Sequence, residues 1–119
     1  MKDYTAVLKT EKYVEVCFYV EHETVMALGE RMNGLREEAY MNGYNWEAVL
    51  GYYLGKTAPE LLEGMNTDPE AGIYVAYYPL TPENEAKAAR FAGILHELVE
   101  QEETLCQLIQ EEGDDIPWD

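Results

Sequence analysis

The sequence lacks several groups on which enzymes depend. Serine is absent, and only two histidines and two cysteines occur among the 119 residues. The absence of serine excludes every mechanism that uses a serine nucleophile. His22 and His96 do not occur in an H-x-x-x-H or H-E-x-x-H spacing, and no glycine-rich phosphate loop precedes a predicted helix. The sequence therefore carries none of these catalytic signatures.

Cysteine and metal chemistry are also poorly supported. Cys17 and Cys106 show no C-x-x-C spacing, so we expect two reduced, partly buried side chains. On one predicted helix, Cys106 and His96 would be separated by a rise of about 15 Å, too far for a nucleophile–base pair. The acidic run EEGDD at 111–115 lacks the alternating ligands of a calcium loop. We therefore predict that the protein is not an enzyme and binds neither a cofactor nor a metal ion. The alternative is a hydrolase that uses a pair of carboxylates in a concave site.

Basic residues are scarce. Eight lysines and arginines face 24 acidic residues, which gives a formal net charge of −16. The imbalance is concentrated at 57–119, where the net charge is −13 against −3 for 1–56. Such a charge repels nucleic acid and anionic lipid and attracts basic proteins. The alternative, an acidic surface that serves only solubility, stays open.

Long apolar runs are missing as well. No stretch of about 18 apolar residues occurs, which excludes a predicted membrane-spanning helix. The opening residues MKDYTAVLKTEKYVEV contain no apolar core of a signal peptide, so we expect a cytoplasmic protein. The hydrophobic fraction of 47% and the length of 119 residues predict one globular domain over 1–119.

Three strands are predicted. Residues 13–21 (YVEVCFYVE) alternate apolar and polar side chains with the period of two of a half-buried strand. Residues 3–10 (DYTAVLKT) form the preceding strand, and because only Glu11 and Lys12 separate the two, we expect an antiparallel hairpin. Residues 73–78 (IYVAYY) form the third strand, which Pro79 ends.

Helices are predicted between and after these strands. An apolar stripe from Val25 to Ala39 indicates the first helix, with Gly43 as a left-handed cap. Asn45 is predicted to cap a second helix that begins at Trp46, and Thr57 to cap a short third one. The segment GMNTDPEAG at 64–72 is predicted to be a loop.

One long final helix completes the predicted fold. Thr81 is the expected N-cap, Pro82 the first helical residue, and Gly113 the end of the helix. The order β-β-α-α-β-α predicts an α+β domain, with a small, mainly antiparallel three-stranded sheet and helices packed on one face.

The aromatic stretch MNGYNWEAVLGYYLG at 41–55 contains core-facing and freer aromatic residues. Trp46 and Tyr53 share the apolar stripe of the second helix and are predicted to be core. Tyr52 points elsewhere on that helix and Tyr44 flanks the Asn-Gly turn before it, so both are available to contact a partner, for which tyrosine is well suited.

The motifs of the chain resemble a known family. GYNWEAVLGYYL, DPEAGIYVAYYPLT and the closing EEGDDIPWD together resemble the bacterial immunity proteins of polymorphic-toxin systems, in particular immunity protein 51. The most specific pieces are G-x-N-W-E at 43–47, D-P-E-A-G at 68–72 and the final Trp118–Asp119 pair.

The resemblance implies a small cytoplasmic protein that binds and neutralises a cognate toxin, secreted or delivered by contact, through protein–protein interaction. Many such toxins are nucleases with basic clefts, so the acidic charge makes a basic nuclease the expected partner. The resemblance does not identify which residues bind the toxin. From charge and predicted exposure, the candidate partner-binding residues are Tyr44, Tyr52, Glu60, Glu63, Asp68, Glu70, Asp114, Asp115, Trp118 and Asp119.

Two further questions stay open at the level of sequence. A small-molecule-binding or regulatory domain is the alternative function, with an apolar pocket lined by Trp46, Tyr53 and Tyr77. Self-repulsion favours a monomer, while an open strand edge would allow a weak homodimer.

Overall fold

A four-stranded antiparallel sheet forms the centre of the computed structural model, which describes residues 3–119. The strands are β1 (Thr5–Lys9), β2 (Tyr13–Tyr19), β3 (Asn66–Thr67) and β4 (Ile73–Pro79), in the spatial order β1-β2-β4-β3. The prediction of three strands is therefore wrong by one. The two residues of β3 lie in the predicted loop at 64–72, and a segment this short has no periodicity that a sequence could show.

The register of the sheet confirms the predicted hairpin. Thr5 lies opposite Phe18 and Lys9 opposite Val14, while β4 pairs along the other edge of β2 from Tyr13–Pro79 to Tyr19–Ile73. Since successive side chains of a strand alternate between the two faces, the register places one set of side chains toward the helices. The most buried of these are Val14, Val16, Phe18, Tyr74, Ala76 and Tyr78.

The helices differ from prediction mainly at their ends. Helix α1 spans Glu23–Leu35 and helix α2 spans Gly43–Thr57. The N-cap of α2 is Asn42, whose side chain accepts from the backbone N–H of Asn45, so α2 starts three residues before the predicted position. Gly43 is consequently a helical residue and not a left-handed cap. The sequence is equally compatible with this start of α2, because Asn42 is as favourable an N-cap as Asn45.

The segment after α2 also differs from prediction. Thr57 is the last residue of α2 and caps nothing, and the short element that follows is a 3₁₀ helix at Pro59–Leu62 without a side-chain cap. Its residue Leu61 is buried, and its carbonyl oxygen accepts a hydrogen bond of 2.6 Å from the Tyr78 hydroxyl. The short helix is thereby fixed to the sheet.

The predicted final helix is two helices. Helix α3 spans Pro82–Glu100, with Thr81 as N-cap and Pro82 in the first turn as predicted. Helix α4 spans Glu103–Glu112 and ends at Gly113, which begins a second 3₁₀ turn at Gly113–Asp115. A single helix over 82–112 would be about 46 Å long, longer than the largest dimension of the molecule, 41 Å.

The break lets α4 fold back against α1. Arg31 of α1 forms ion pairs with Glu102, at 3.2 Å, and with Glu103 at the start of α4. Leu105, Cys106 and Ile109 of α4 are buried in the core. The helices thus cover one face of the sheet, as predicted for the α+β class, and the other face of the sheet is not covered by any helix among residues 3–119.

Candidate functional site

Helix α2 presents a second face that points away from the core. Its buried stripe consists of Trp46, Val49, Leu50 and Leu54. Trp46 is 1% exposed, which confirms its predicted place in the core, while Tyr53 is half-buried at the margin. Steps of three and four residues bring a different set together on the outer face. That set is Tyr44, Glu47, Ala48, Gly51 and Tyr52.

Asn45 fixes the C-terminal tail against the start of α2. Its side chain is buried; Nδ2 donates to the carbonyl oxygens of Tyr40 (2.9 Å) and Glu38 (3.3 Å). Its Oδ1 accepts from the backbone N–H of Asp119 at 2.7 Å. A buried polar group of this kind is stabilising only when it is hydrogen-bonded, and here three bonds are made. One amide therefore joins the segment before α2 to the tail.

The tail has two further anchors. Ile116 is buried, and the indole Nε1 of Trp118 donates to the carbonyl oxygen of Gly113 at 2.9 Å. Gly113 lies directly under the Arg36 guanidinium, where a Cβ would be 2.7 Å from Nη1. The tail consequently has a defined course along the outer face of α2.

Between α2 and the tail lies an open cleft of about 650 Å³. Aromatic rings and carboxylates line it together, and this cleft is the candidate functional site. Five of the ten predicted residues meet here: Tyr44, Tyr52, Asp115, Trp118 and Asp119. The structure adds Glu47, Ala48, Gly51 and Pro117.

The carboxylates of the cleft are not neutralised within the described chain. Glu47, Asp115 and Asp119 form no ion pair with any base of residues 3–119. Glu47 accepts a hydrogen bond from the hydroxyl of Thr67 on β3, which orients it without cancelling its charge. The cleft therefore has a negative potential next to aromatic surface.

One wall of the cleft is held by a small polar network. The Tyr52 hydroxyl donates to Oε1 of Glu112 at 2.7 Å, and the Lys56 ammonium binds the same oxygen. Lys56 and Tyr52 together hold the pKa of Glu112 below its usual value. The bond to the Glu112 carboxylate raises the pKa of Tyr52 to about 12. At neutral pH Glu112 is ionised, and Tyr52 is a neutral donor with a fixed ring orientation.

The other predicted residues lie outside the cleft. Glu60 pairs with Arg90 at 2.7 Å, and Asp114 with Arg36 at 2.7 Å, so the two charges are balanced internally. Glu63 is exposed, and its backbone carbonyl accepts from Lys87 at 3.1 Å. The carboxylates of Glu60 and Asp114 thus have structural partners that a sequence does not reveal, whereas the Glu63 carboxylate forms no ion pair within residues 3–119.

Asp68 and Glu70 lie near the sheet. Asp68 follows β3 and borders a depression on the uncovered face, with Tyr13, Glu15 and Tyr77. Glu70 lies in the turn before β4, where its backbone N–H donates to the carbonyl of Ile73 at 2.8 Å.

Glu47 is the residue that sequence reasoning missed at this site. Its spacing of three from Tyr44 and of four from Gly51 places it on the outer face of α2, so the helical period could have identified it.

The histidines and cysteines have structural surroundings. Nδ1 of His22 accepts from the backbone N–H of Thr24 at 3.1 Å, which caps α1. Nε2 of His96 lies 2.8 Å from the Thr5 hydroxyl, and so links α3 to β1. Cys17 and Cys106 are both buried free thiols, and burial raises the pKa of each.

The three aromatic residues of the small-molecule alternative do not share a cavity. Trp46 packs edge-on against Phe18 in the core, with centroids 5.0 Å apart. Tyr53 borders a shallow groove between α2 and α4, and Tyr77 lies on the uncovered face of the sheet. The expected apolar pocket is therefore not formed by these residues.

The described part of the chain contains neither a metal-binding cluster nor a membrane-spanning helix. No group of three or more histidine, cysteine, aspartate or glutamate side chains within 3–119 is arranged to hold a metal ion. No helix in the same range combines the length and apolarity needed to cross a bilayer.

Comparison with known proteins gives one match. The family model described as immunity protein 51 matches residues 6–114, nearly the whole chain. No curated protein and no solved structure matches it.

Proposed function

This chain belongs to the immunity protein 51 family, and on that basis we propose that it binds and neutralises a cognate bacterial toxin. The cleft between α2 and the tail is the proposed contact surface. One observation carries this choice: three carboxylates without internal basic partners, those of Glu47, Asp115 and Asp119, lie beside Tyr44 and Trp118.

The chemistry of the cleft favours a basic toxin. Unneutralised carboxylates attract a positive surface, and complementary charge raises association rates, up to about 10⁸–10⁹ M⁻¹s⁻¹ at low salt. Tyrosine and tryptophan then provide contact area at a small cost in side-chain entropy. Charge therefore steers the encounter, and the aromatic rings slow dissociation.

A nuclease is the toxin class that fits best. Its active cleft must hold phosphates and is consequently positive, so an acidic protein can occupy the place of the nucleic-acid backbone. The formal net charge of −16 supports this proposal. The proposed role requires no reaction by the chain itself, no cofactor and no nucleic-acid contact, and we propose that a monomer in the cytoplasm performs it.

Binding to the cognate toxin, to be sought among the products of the genes that neighbour the one for this chain, tests the proposal. The test variant removes the three carboxylates of the cleft by Glu47→Gln, Asp115→Asn and Asp119→Asn. The matched control removes three carboxylates elsewhere on the surface by Glu30→Gln, Glu97→Gln and Glu111→Gln, so that both variants lose the same net charge. In stopped-flow measurements at low salt we expect the first variant to associate about tenfold more slowly, or slower still, and to show a weaker salt dependence.

Two results would contradict parts of the proposal. If the wild-type chain neither binds this toxin nor protects cells from it, neutralisation is wrong. If the two triple variants associate equally fast, the toxin binds and the cleft is not the contact surface.

A further inference from the structure

The uncovered face of the sheet carries an unusual set of side chains. The register aligns Leu8, Glu15, Tyr77 and Asn66 in one row across all four strands. The next row contains Ala6, Cys17 and Val75, and the backbone N–H of Asp68 donates to the carbonyl of Val75 at 2.8 Å. None of the strand residues that the pairing places on this face is basic. For a surface open to water, such a face lacks the mixed charges that are typical of an outer sheet surface.

A depression of about 320 Å³ lies on this face over β2, β4 and the residue that follows β3. Tyr13 and Tyr77 form an edge-to-face pair there, with ring centroids 5.3 Å apart and an interplanar angle of 80°. Glu15, Asp68 and Val75 complete the lining. Tyr13 is 39% exposed, so its ring is accessible to a partner.

The two carboxylates of the depression form no ion pair within the described chain. Glu15 and Asp68 appear in no ion pair of residues 3–119, whereas Lys9, Lys56 and the three arginines are each paired with carboxylates elsewhere. Glu15 is half-buried and lies opposite both Leu8 and Tyr77. A carboxylate among apolar and aromatic neighbours is best compensated by a cation from outside.

We propose that this face continues the toxin-binding surface and holds an arginine side chain of the toxin against the exposed side of the Tyr13–Tyr77 pair, facing Glu15 and Asp68. The inference rests on the proposed function. Arginine is the occupant that fits, because its planar guanidinium stacks on aromatic rings and binds carboxylates through a fixed fork of donors. It is also less strongly hydrated than lysine, which lowers the cost of leaving water at a surface of this kind.

The cleft and the sheet face are continuous. Glu47 of the cleft is hydrogen-bonded to Thr67 of β3, and Asp68 of the sheet face is the next residue. One basic partner can thus contact both surfaces by extending around the β3 edge. A second copy of this chain would instead bring a net charge of −16 against the same carboxylates.

Variants of the sheet face test the inference with the toxin itself. We expect Glu15→Gln to weaken the affinity of the toxin about tenfold, mainly through faster dissociation, and Asp68→Asn to weaken it several-fold. Glu97→Gln on the exposed surface of α3 is the matched control and should change the affinity less than twofold. Tyr13→Phe keeps the ring and should bind as the wild type does, while Tyr13→Ala should not.

The outcomes separate this inference from the proposed function. If the wild type does not bind the toxin, the proposed function fails and this inference fails with it. If the wild type binds and Glu15→Gln behaves like Glu97→Gln, only the inference is overturned. Self-association of the wild type that Glu15→Gln alters would also overturn it, since a second copy would then occupy the face.

A probe without the toxin tests the chemistry of the depression directly. The short peptide Ac-Gly-Arg-Gly-NH₂ is added at millimolar concentration to the ¹⁵N-labelled chain, and the same peptide with citrulline in place of arginine is the control. We expect the arginine peptide alone to shift the amide signals of Tyr13, Glu15, Asp68 and Tyr77. Equal shifts with both peptides, shifts confined to the cleft, or no shifts would each contradict an arginine site.

Discussion

At the scale of the residue, Asn45 determines whether the candidate site exists. Its side chain connects Tyr40, Glu38 and Asp119, which lie on two segments far apart in the chain. Alanine or aspartate could not replace it, because the position needs two donated bonds and one accepted bond on the same side chain. The Asn45 amide thus stabilises the fold and positions the tail carboxylate of the cleft.

Asn45→Ala is expected to reduce the free energy of unfolding by about 2–3 kcal/mol, since two carbonyl oxygens and one N–H lose their buried partner. Urea unfolding followed by tryptophan fluorescence measures this. Asn66→Ala is the control, because the Asn66 amide is exposed and makes one bond of 3.5 Å, and we expect a change within about 0.5 kcal/mol. Equal losses for the two variants would contradict the anchoring role of Asn45.

At the scale of the element, the start of α2 is pressed against the turn before β4. The backbone N–H of Gly43 donates to the carbonyl of Ala71 at 3.0 Å. A Cβ at Gly43 would lie 1.8 Å from the carbonyl oxygen of Glu70 and 2.4 Å from that of Ile73. Only glycine allows this approach, which brings Glu47 of the cleft within reach of β3.

Gly43→Ala is expected to destabilise the protein by about 3 kcal/mol, because the clash is with backbone atoms that cannot move aside cheaply. Gly93→Ala in the middle of α3 is the matched substitution, since no heavy atom lies within 4 Å of the added Cβ. We expect it to stabilise the protein by about 1 kcal/mol, through the higher helix propensity of alanine. Thermal unfolding of both variants measures the difference, and a destabilising effect at both positions would argue against steric close packing at Gly43.

At the scale of the whole molecule, repulsion between like charges opposes the compact state. Of the 24 acidic residues, eight form ion pairs within residues 3–119, one of them with a histidine, so most acidic residues have no ion-pair partner in the described part of the chain. Repulsion of this kind is screened by salt over a distance of about 10 Å at 0.1 M. The same charge is the source of the long-range attraction to the basic toxin proposed above.

Sodium chloride is therefore expected to raise the midpoint of thermal unfolding, by about 5 °C or roughly 1 kcal/mol between low and moderate ionic strength. Scanning calorimetry over a salt series measures it. The double variant Glu30→Lys and Glu97→Lys, with less net charge, should show a smaller increase. A midpoint that falls with salt would mean that the internal ion pairs outweigh the repulsion.

The sequence by itself determined the family, the α+β class, the hairpin, the cap of α3 and the core-facing stripe of α2. Each of these depends on neighbours along the chain: alternation in 13–21, steps of three and four in α2, and Thr81 followed by Pro82. Patterns between residues that are close in sequence can be identified from the sequence alone.

Only the tertiary structure decided which charges are free. Glu60 and Asp114 look like Asp115 in the sequence, yet arginines from distant elements neutralise the first two and not the third. The pairing of β3 with β4, the reversal between α3 and α4, and the meeting of Glu15 with Tyr77 likewise depend on contacts between remote segments. A carboxylate is available to a partner only if the folded chain places no basic side chain within a few ångströms of it. The distance between the carboxylate and the nearest basic side chain depends on the tertiary fold and not on any local sequence pattern.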